Sequence, residues 1–276
     1  MKAALIQLNS GDDPAANLPV TEALVNAAAD GGAGFILTPE VTNCVSSSRA
    51  RQEDVLTLEG EDITLAALRD LATQRGIWLL IGSLAIKTGD ADGRFANRSY
   101  LIAPDGRTVA RYDKIHMFDV TISESESYRE SAGYRPGTQA VLAKTPFGAL
   151  GMTICYDLRF PHLYRNLAQR GGQILSIPSA FSPVTGAAHW HTLLRARAIE
   201  TGAYVLAAAQ TGPHAASQGK PRQTYGHSLA VSPWGEVLAD GGEGPGVIYV
   251  DLDMAEVTLA RQRIPALTHD PEFGGP

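Results

Sequence analysis

Three residue types that can do chemistry stand at the ends of predicted strands: a cysteine, a glutamate and a lysine. Cys155 lies between the apolar run 149–154 and a segment that Pro161 opens as a helix. A turn from strand to helix exposes the side chain and directs free backbone N–H groups toward it, as an activated nucleophile requires, and a helix start lowers a thiol's pKa. A lone cysteine is more often a small buried hydrophobe, so both interpretations stay open. Cys44 has no such setting and is expected to be structural.

The glutamate and the lysine could supply the proton transfer and the positive charge that a thiol nucleophile needs. Glu40 directly follows the apolar run 34–39, which is a poor place for a surface charge. Buried beside a cysteine it could act as a general base, with a pKa raised toward neutrality. Lys114 follows a predicted hairpin. Facing a cleft, its ammonium could stabilise an oxyanion and lower the pKa of a neighbouring thiol; a solvated surface lysine is the alternative.

Other chemistries find less support. His116 lies two residues from Lys114, but papain-like and caspase-like cysteine signatures are absent. His189 and His191 form the only close histidine pair, and their i,i+2 spacing on a predicted helix makes them diverge. The glycine-rich segments match neither a phosphate-binding loop nor a dinucleotide site. We therefore expect no metal and no cofactor.

The order Glu40, Lys114, Cys155, each at a strand end, resembles the nitrilase superfamily of carbon–nitrogen hydrolases. The motifs that carry the resemblance are Thr-Pro-Glu40, Tyr-Asp-Lys114-Ile-His, Ile-Cys155-Tyr-Asp-Leu-Arg-Phe-Pro, Ile-Pro-Ser-Ala-Phe181, Leu-Leu-Arg-Ala-Arg-Ala-Ile-Glu200, Tyr225-Gly-His-Ser228 and Pro-Trp-Gly235. The resemblance implies an α/β fold, a four-layer αββα sandwich of two mixed β-sheets flanked by helices. It also implies one carbon–nitrogen hydrolase domain over residues 1–276 and assembly into a homodimer or higher homo-oligomer.

The same resemblance implies hydrolysis of an amide through a thioester. Cys155 attacks the carbonyl, Glu40 moves the proton, and Lys114 with the backbone N–H of Tyr156 stabilises the oxyanion. A second glutamate is implied between the lysine and the cysteine, and Glu130 fits by its place shortly before a Pro-Gly pair. Its competitors in the same segment are Glu124 and Glu126.

The later motifs most resemble a branch of amidases that act on small amides bearing carboxylates. The implied substrate is deaminated glutathione, with α-ketoglutaramate, the ω-amidase substrate, or another amide or nitrile as alternatives. A non-catalytic scaffold on the same fold is a further alternative. A buried carboxylate needs a charge-assisted partner, for which Arg159 and Arg222 are candidates, although Arg159 is better placed to pair with Asp157. Arg195 and Arg197 share one predicted helix and are expected to be structural.

The composition of the chain limits the classes of partner that it could bind. The chain has 276 residues, 44% of them hydrophobic, and 23 basic against 29 acidic residues give a net charge of −6. This acidic balance argues against binding to nucleic-acid phosphates. Two cysteines are too few for a disulfide framework, the first residues suggest a strand rather than a signal peptide, and no apolar run is long enough to span a membrane. We expect a cytoplasmic enzyme, in which the glycosylation sequon at Asn97 is chance.

The apolar pattern alternates between strand and helix periods, which predicts helices on the faces of mixed sheets. Predicted helices cover 14–30, 62–75, 161–169, 187–201 and 254–263. Predicted strands cover 3–8, 34–39, 77–86, 99–103, 108–111, 149–154, 173–177, 204–209, 228–232, 237–239 and 247–250. Residues 113–139 are expected to form a long loop. A faint repeat aligns 99–110 with 228–239 and 36–40 with 175–179, which indicates either two related halves or the recurrence of common strand–turn patterns.

Overall fold

The computed structural model describes residues 1–124 and 126–275, with Ser123 and Glu126 described by their backbone alone. Its helices are α1 (Pro14–Asp30), α2 (Arg49–Val55), α3 (Ile63–Arg75), α4 (Pro161–Gln169), α5 (Pro183–Thr201) and α6 (Met254–Arg263). Short 3₁₀ helices cover Glu59–Glu61, Glu130–Ala132, Cys155–Arg159 and Ala266–Thr268.

The strands fall into two larger sheets and two ribbons. Those of the first half are β1 (Lys2–Gln7), β2 (Phe35–Leu37), β3 (Trp78–Lys87), β4 (Phe95–Ile102), β5 (Thr108–Asp113), β6 (Asp119–Ser123) and β7 (Glu126–Arg129). Those of the second half are β8 (Val141–Thr145), β9 (Gly148–Met152), β10 (Ile174–Ser176), β11 (Tyr204–Ala207), β12 (Thr211–Pro213), β13 (Gln223–Tyr225), β14 (Leu229–Val231), β15 (Val237–Asp240) and β16 (Gly246–Asp251).

The two sheets have the same topology. The order of neighbouring strands in the first sheet is β16-β1-β2-β3-β4-β5. In the second sheet, starting from the edge that corresponds to β16, the order is β8-β9-β10-β11-β14-β15. In each, three parallel strands (β1-β2-β3 or β9-β10-β11) are flanked by antiparallel ones. The repeat between 99–110 and 228–239 falls on the equivalent hairpins β4–β5 and β14–β15. The shared topology therefore supports two related halves.

The sheets pack face to face with helices outside them. Side chains of α1 and α3, such as Val25 and Leu68, cover one face of the first sheet. The other face of that sheet, with Leu37 and Leu80, belongs to the larger core that also takes in the second sheet and helices α4 and α5. Central strands are buried on both faces, which explains their near-continuous apolar sequence. The αββα sandwich expected from the sequence is confirmed.

Most element boundaries follow local signals in the sequence. The Asp62 side chain accepts a hydrogen bond from the Leu65 N–H and caps α3, which ends at Gly76 in the left-handed region. Helix α5 begins earlier than expected because Pro183 starts it at the first helical position. The expectation of a loop over 113–139 is wrong in part, since the segment contains the β6–β7 ribbon and a 3₁₀ turn. Strand β8, the β12–β13 ribbon and helix α2 were not predicted.

Candidate active site

Three strand ends converge where Glu40, Lys114 and Cys155 were expected to meet. Glu40 comes three residues after β2, Lys114 directly after β5, and Cys155 three residues after β9. All three side chains are buried, with exposed fractions of 4%, 2% and 7%. The fold therefore places these functional groups in one internal cluster.

Backbone strain fixes the positions of the glutamate and the thiol. Cys155 has φ +48°, and Val41, next to Glu40, has φ +46°, both unusual for residues with a Cβ. The Cys155 N–H donates to the Pro178 carbonyl at 2.9 Å, and the Val41 N–H donates to Ser83 Oγ at 2.8 Å. Such conformations persist only where surrounding bonds hold them, and they concentrate at functional sites.

A glycine in β3 lets the two sheets approach each other at this point. A Cβ on Gly82 would lie 2.0 Å from the Thr38 carbonyl oxygen and 2.5 Å from Pro178 Cβ. Any larger residue would therefore separate the turn that carries Glu40 from the turn that holds the Cys155 backbone. Sequence reasoning had no signal for this requirement beyond the glycine itself.

Lys114 is the centre of an ion cluster. Its Nζ lies 2.9 Å from Glu40 Oε1 and 2.9 and 2.8 Å from the two carboxylate oxygens of Glu130. Glu40 Oε2 accepts from the Ala180 N–H at 2.8 Å, and Glu130 Oε2 accepts from the Phe118 N–H at 2.6 Å. Two carboxylates thus share one buried ammonium, and the structure brings Glu130 to the same cluster as the other three residues.

Asn97 is a member of the cluster that sequence reasoning missed. Its Nδ2 donates to Glu40 Oε1 at 2.8 Å and lies 3.3 Å from Glu130 Oε1, while its Oδ1 is buried without a partner among the described residues. The sequon had drawn attention to this residue for a different reason. Since Asn97 is 2% exposed, its side chain is unavailable for glycosylation in the folded protein.

The pKa shifts reverse two expectations. Burial raises the pKa of Glu40, but the charge of Lys114 and hydrogen bonds from Lys114, Cys155 and Asn97 outweigh it and leave the pKa below its ordinary value. Burial and then the charge of Glu40 raise the pKa of Cys155, and the opposing charge of Lys114 does not compensate. Burial lowers the pKa of Lys114, but Glu130 and Glu40 together hold it well above its ordinary value. The raised pKa of Glu40 and the lowered pKa of the thiol were therefore wrong.

These shifts define a resting state with a protonated thiol beside an ionised carboxylate. The Cys155 thiol and the Glu40 carboxylate lie close enough for each group to shift the pKa of the other. Ionising the thiol alone would add a second net negative charge to a buried cluster, which is costly. Passing its proton to Glu40 leaves the net charge of the cluster unchanged. The arrangement suits proton transfer coupled to attack rather than a preformed thiolate.

The remaining candidates for this cluster lie apart or at its edge. Tyr156 follows Cys155 at the first turn of a 3₁₀ helix, where backbone N–H groups have no partner within the helix. Glu124 is exposed, and the side chain of Glu126 lies outside the described part of the structure. Cys44 packs in a small apolar cluster, where burial raises its pKa to about 12.

Asp157 has partners other than those expected. Its carboxylate accepts from the Tyr112 hydroxyl at 2.6 Å, the Ile154 N–H at 2.8 Å and the His116 N–H at 3.0 Å. The expected pairing with Arg159 is therefore wrong, because these donors surround a fully buried carboxylate. His116 Nδ1 also lies 2.7 Å from Asp157, and its ring stacks on Phe160 with centroids 3.6 Å apart.

Two arginines border the segment that contacts Glu40. Arg159 lies with its guanidinium carbon 5.3 Å from the Phe181 ring centroid, and Arg222 Nη2 donates to the Ala180 carbonyl at 3.3 Å. Both are half-buried, and neither forms an ion pair within residues 1–124 and 126–275. Arg195 and Arg197 instead donate to the backbone carbonyls of Gly235 and Leu158, as expected of structural residues.

The sandwich and the convergent strand ends have counterparts in known proteins. The family model described as carbon-nitrogen hydrolase matches residues 2–262. The chain therefore belongs to the carbon–nitrogen hydrolases of the nitrilase superfamily. It is a hydrolase acting on carbon–nitrogen bonds other than peptide bonds.

Individual relatives agree with this assignment. The chain is 38% identical over 273 residues to the deaminated glutathione amidase of Yersinia enterocolitica, covering 97% of this chain and 92% of that protein. Its fold matches the Caenorhabditis elegans nitrilase and fragile histidine triad fusion protein with a TM-score of 0.90 and 37% identity. That match covers 98% of this chain but 64% of the longer fusion protein.

A third relative shows chemistry at its active-site cysteine. A mutant of the amidase from Nesterenkonia sp. AN1 matches with a TM-score of 0.77 and 27% identity, over 95% of this chain and 94% of that one. In that structure the acetamide moiety of fluoroacetamide is covalently added to the cysteine.

Among the helices described here, none is long and apolar enough to cross a membrane.

Proposed function

We propose that the protein hydrolyses the amide bond of a small carboxylate-bearing substrate through a thioester on Cys155. The observation that carries the proposal is the buried cluster in which the Cys155 thiol lies beside the Glu40 carboxylate, whose Oε1 is 2.9 Å from Lys114 Nζ. A nucleophile beside its base, with a cation fixed next to both, is the arrangement that acyl transfer needs. The covalent adduct on the cysteine of the Nesterenkonia amidase supports the same role for this thiol.

The residues divide the reaction into two balanced steps. Cys155 Sγ bonds to the amide carbon as its proton passes to Glu40, and Lys114 with the Tyr156 N–H stabilises the oxyanion. The C–N bond then breaks, and Glu40 returns the proton to the leaving amine, or to ammonia where the substrate is a primary amide. In the second step Glu40 takes a proton from water as it attacks the thioester, and Glu130, held by Lys114 and the Phe118 N–H, orients that water. The C–S bond then breaks, Glu40 returns the proton to Cys155 Sγ, and the carboxylic acid leaves.

The two arginines provide the reason to propose a carboxylate on the substrate. Arg159 and Arg222 border the Ala180–Phe181 segment without carboxylate partners in the described structure. A guanidinium can bind a carboxylate with two parallel hydrogen bonds. The leading substrate is deaminated glutathione, after the Yersinia relative's name, with α-ketoglutaramate second.

Three further expectations belong to this proposal. The hydrolase domain spans the whole chain, which the family match over residues 2–262 supports. The chain assembles into a homodimer or higher homo-oligomer. It works in the cytoplasm, where the two free cysteines would stay reduced.

A product-release assay on four compounds tests the substrate, with the dipeptide amine measured for deaminated glutathione and ammonia for the other three. We expect kcat/KM to be highest for deaminated glutathione and lower for α-ketoglutaramate, a simple aliphatic amide and a nitrile. Cys155→Ser should lower turnover by several orders of magnitude without changing the fold. Cys44→Ala should leave turnover unchanged. If a simple amide or nitrile is the best substrate, the proposed substrate class is wrong; if no amide is hydrolysed, the amidase proposal is wrong.

Arginine variants test the carboxylate contact separately. Arg222→Gln and Arg159→Gln should raise KM for the carboxylate-bearing amide by about tenfold or more and leave the simple aliphatic amide unaffected. An equal loss for both substrates would assign the arginines a structural role instead.

A further inference from the structure

A second cluster of side chains that could bind an ion lies outside the catalytic cluster. His191 on α5, His227 before β14 and Asp240 at the end of β15 each present a ligand atom, and these atoms lie within 4.8 Å of one another. None of the three belongs to the Glu40–Lys114–Glu130–Cys155 cluster. The two imidazoles are half-buried and the carboxylate is one-third exposed, so an ion could enter from solvent.

The ligand atoms nearly have the spacing of a metal site. His191 Nε2 lies 2.9 Å from Asp240 Oδ2, and His227 Nδ1 lies 2.9 Å from Asp240 Oδ1. Tetrahedral zinc with bonds of about 2.0–2.1 Å separates its ligand atoms by about 3.4 Å. At the two imidazole–carboxylate pairs the side chains therefore need to move apart by only about half an ångström, and the two imidazole nitrogens lie within 4.8 Å of each other.

The backbone of His227 is held in an uncommon conformation that aims its imidazole at this point. Its φ is +55°, in the left-handed region. The His227 N–H donates to the Gly242 carbonyl at 2.8 Å, and its carbonyl accepts from Trp190 Nε1 at 2.8 Å. The Tyr225 ring stacks on the imidazole with centroids 4.6 Å apart. Strain maintained by several surrounding bonds is typical of functional positions.

The carboxylate is fixed as well. The Gly242 N–H donates to Asp240 Oδ1 at 2.8 Å, which sets the orientation of the group between the two imidazoles. A metal site needs such additional hydrogen bonds to hold its ligands in place. His189, the other member of the histidine pair, points away from this cluster, with its Nδ1 3.3 Å from Arg159 Nη1. The two histidines therefore diverge, as the sequence predicted.

We propose that His191, His227 and Asp240 form a site for a divalent transition metal such as Zn²⁺, tying helix α5 to the β14–β15 hairpin. Two neutral imidazoles and one carboxylate are ligands that Zn²⁺, Co²⁺ and Ni²⁺ accept, with water completing the coordination. Each imidazole binds through the nitrogen that now faces Asp240 and carries its proton on the other ring nitrogen. This proposal is independent of the amidase proposal.

Zinc titration of the full chain tests the site. The active-site thiol could also take up zinc, so the titration is made on the Cys155→Ala variant by calorimetry after treatment with a chelator. We expect one zinc ion per chain. His191→Gln and His227→Asn keep hydrogen-bond donors beside Asp240, and asparagine tolerates the left-handed backbone, but each should weaken binding at least about tenfold.

His189→Ala, on the same helix, is the matched control and should bind as the parent does. A second readout is the unfolding temperature, which zinc should raise in the parent and the control but not in the two variants. Co²⁺ should give visible absorption without a thiolate charge-transfer band. Two results would overturn the proposal: no stoichiometric zinc binding, or the same zinc affinity in His191→Gln and His227→Asn as in the parent. Either would show that the three side chains are joined by hydrogen bonds alone.

Discussion

At the scale of single residues, Lys114 controls the charge around the thiol. Replacing it by methionine should lower kcat/KM by about 10²–10³-fold, the typical effect of losing an oxyanion donor. It should also slow alkylation of Cys155 by iodoacetamide near neutral pH. Burial and Glu40 already raise the pKa of this thiol. The alkylation rate of the parent should therefore keep increasing with pH beyond the range in which ordinary thiols ionise. In the variant this increase should begin at a still higher pH. Lys114→Arg should not restore activity, because a planar fork cannot replace one ammonium among three carboxylate oxygens. Lys144→Met, on the exposed face of β8, is the control, and near-normal activity in Lys114→Arg would place Lys114 outside the chemistry.

At the scale of elements, the β6–β7 ribbon and its 3₁₀ turn position Glu130. Asp119 accepts from the Ser131 N–H at 3.0 Å and from Ser131 Oγ at 2.5 Å, directly after Glu130. Asp119→Ala should therefore loosen the turn and lower kcat about tenfold, since small displacements of a positioned group are costly. When Glu130→Gln is already present, Asp119→Ala should lower kcat hardly any further, because both substitutions act through the Glu130 carboxylate. Steady-state kinetics of the single and double variants measure this coupling. Thr121→Ala, exposed on the same ribbon, should behave as the parent, and additive losses would show that Asp119 acts on something other than Glu130.

At the scale of the whole molecule, each sheet depends on the other half of the chain. Strand β16, from the C-terminal end, pairs with β1 and completes the first sheet. The inner face of that sheet, including Leu37 and Leu80, shares one core with the second sheet. A fragment of residues 1–139 lacks both the strand and the covering sheet, so we expect it to show no cooperative thermal transition, whereas the whole chain unfolds in one calorimetric step. Co-expression with residues 140–276 is the control and should restore a cooperative transition. A fragment that melts cooperatively alone would show two independent domains instead of one.

The sequence by itself determined most of the elements and pointed to the main candidate site residues. Helices α1, α4 and α6 have the bounds that proline, glycine and apolar spacing predict, because capping and periodicity are local properties of the chain. Glu40 and Cys155 were recognisable because each directly follows an apolar run, and Lys114 because it follows a predicted hairpin. The β6–β7 ribbon was missed because its residues are polar and its pairing depends on its neighbours.

Tertiary structure decided what the local pattern does not contain. The pKa values of Glu40 and Cys155 depend on the balance between burial and the charges around them, and that balance follows from distances between residues far apart in the chain. Asn97 joins the cluster from β4, and His191 meets His227 and Asp240 from three separate elements. Such groups come together only when sheets and helices pack, since contact between residues distant in sequence is fixed by the folded backbone and not by the spacing of residue types.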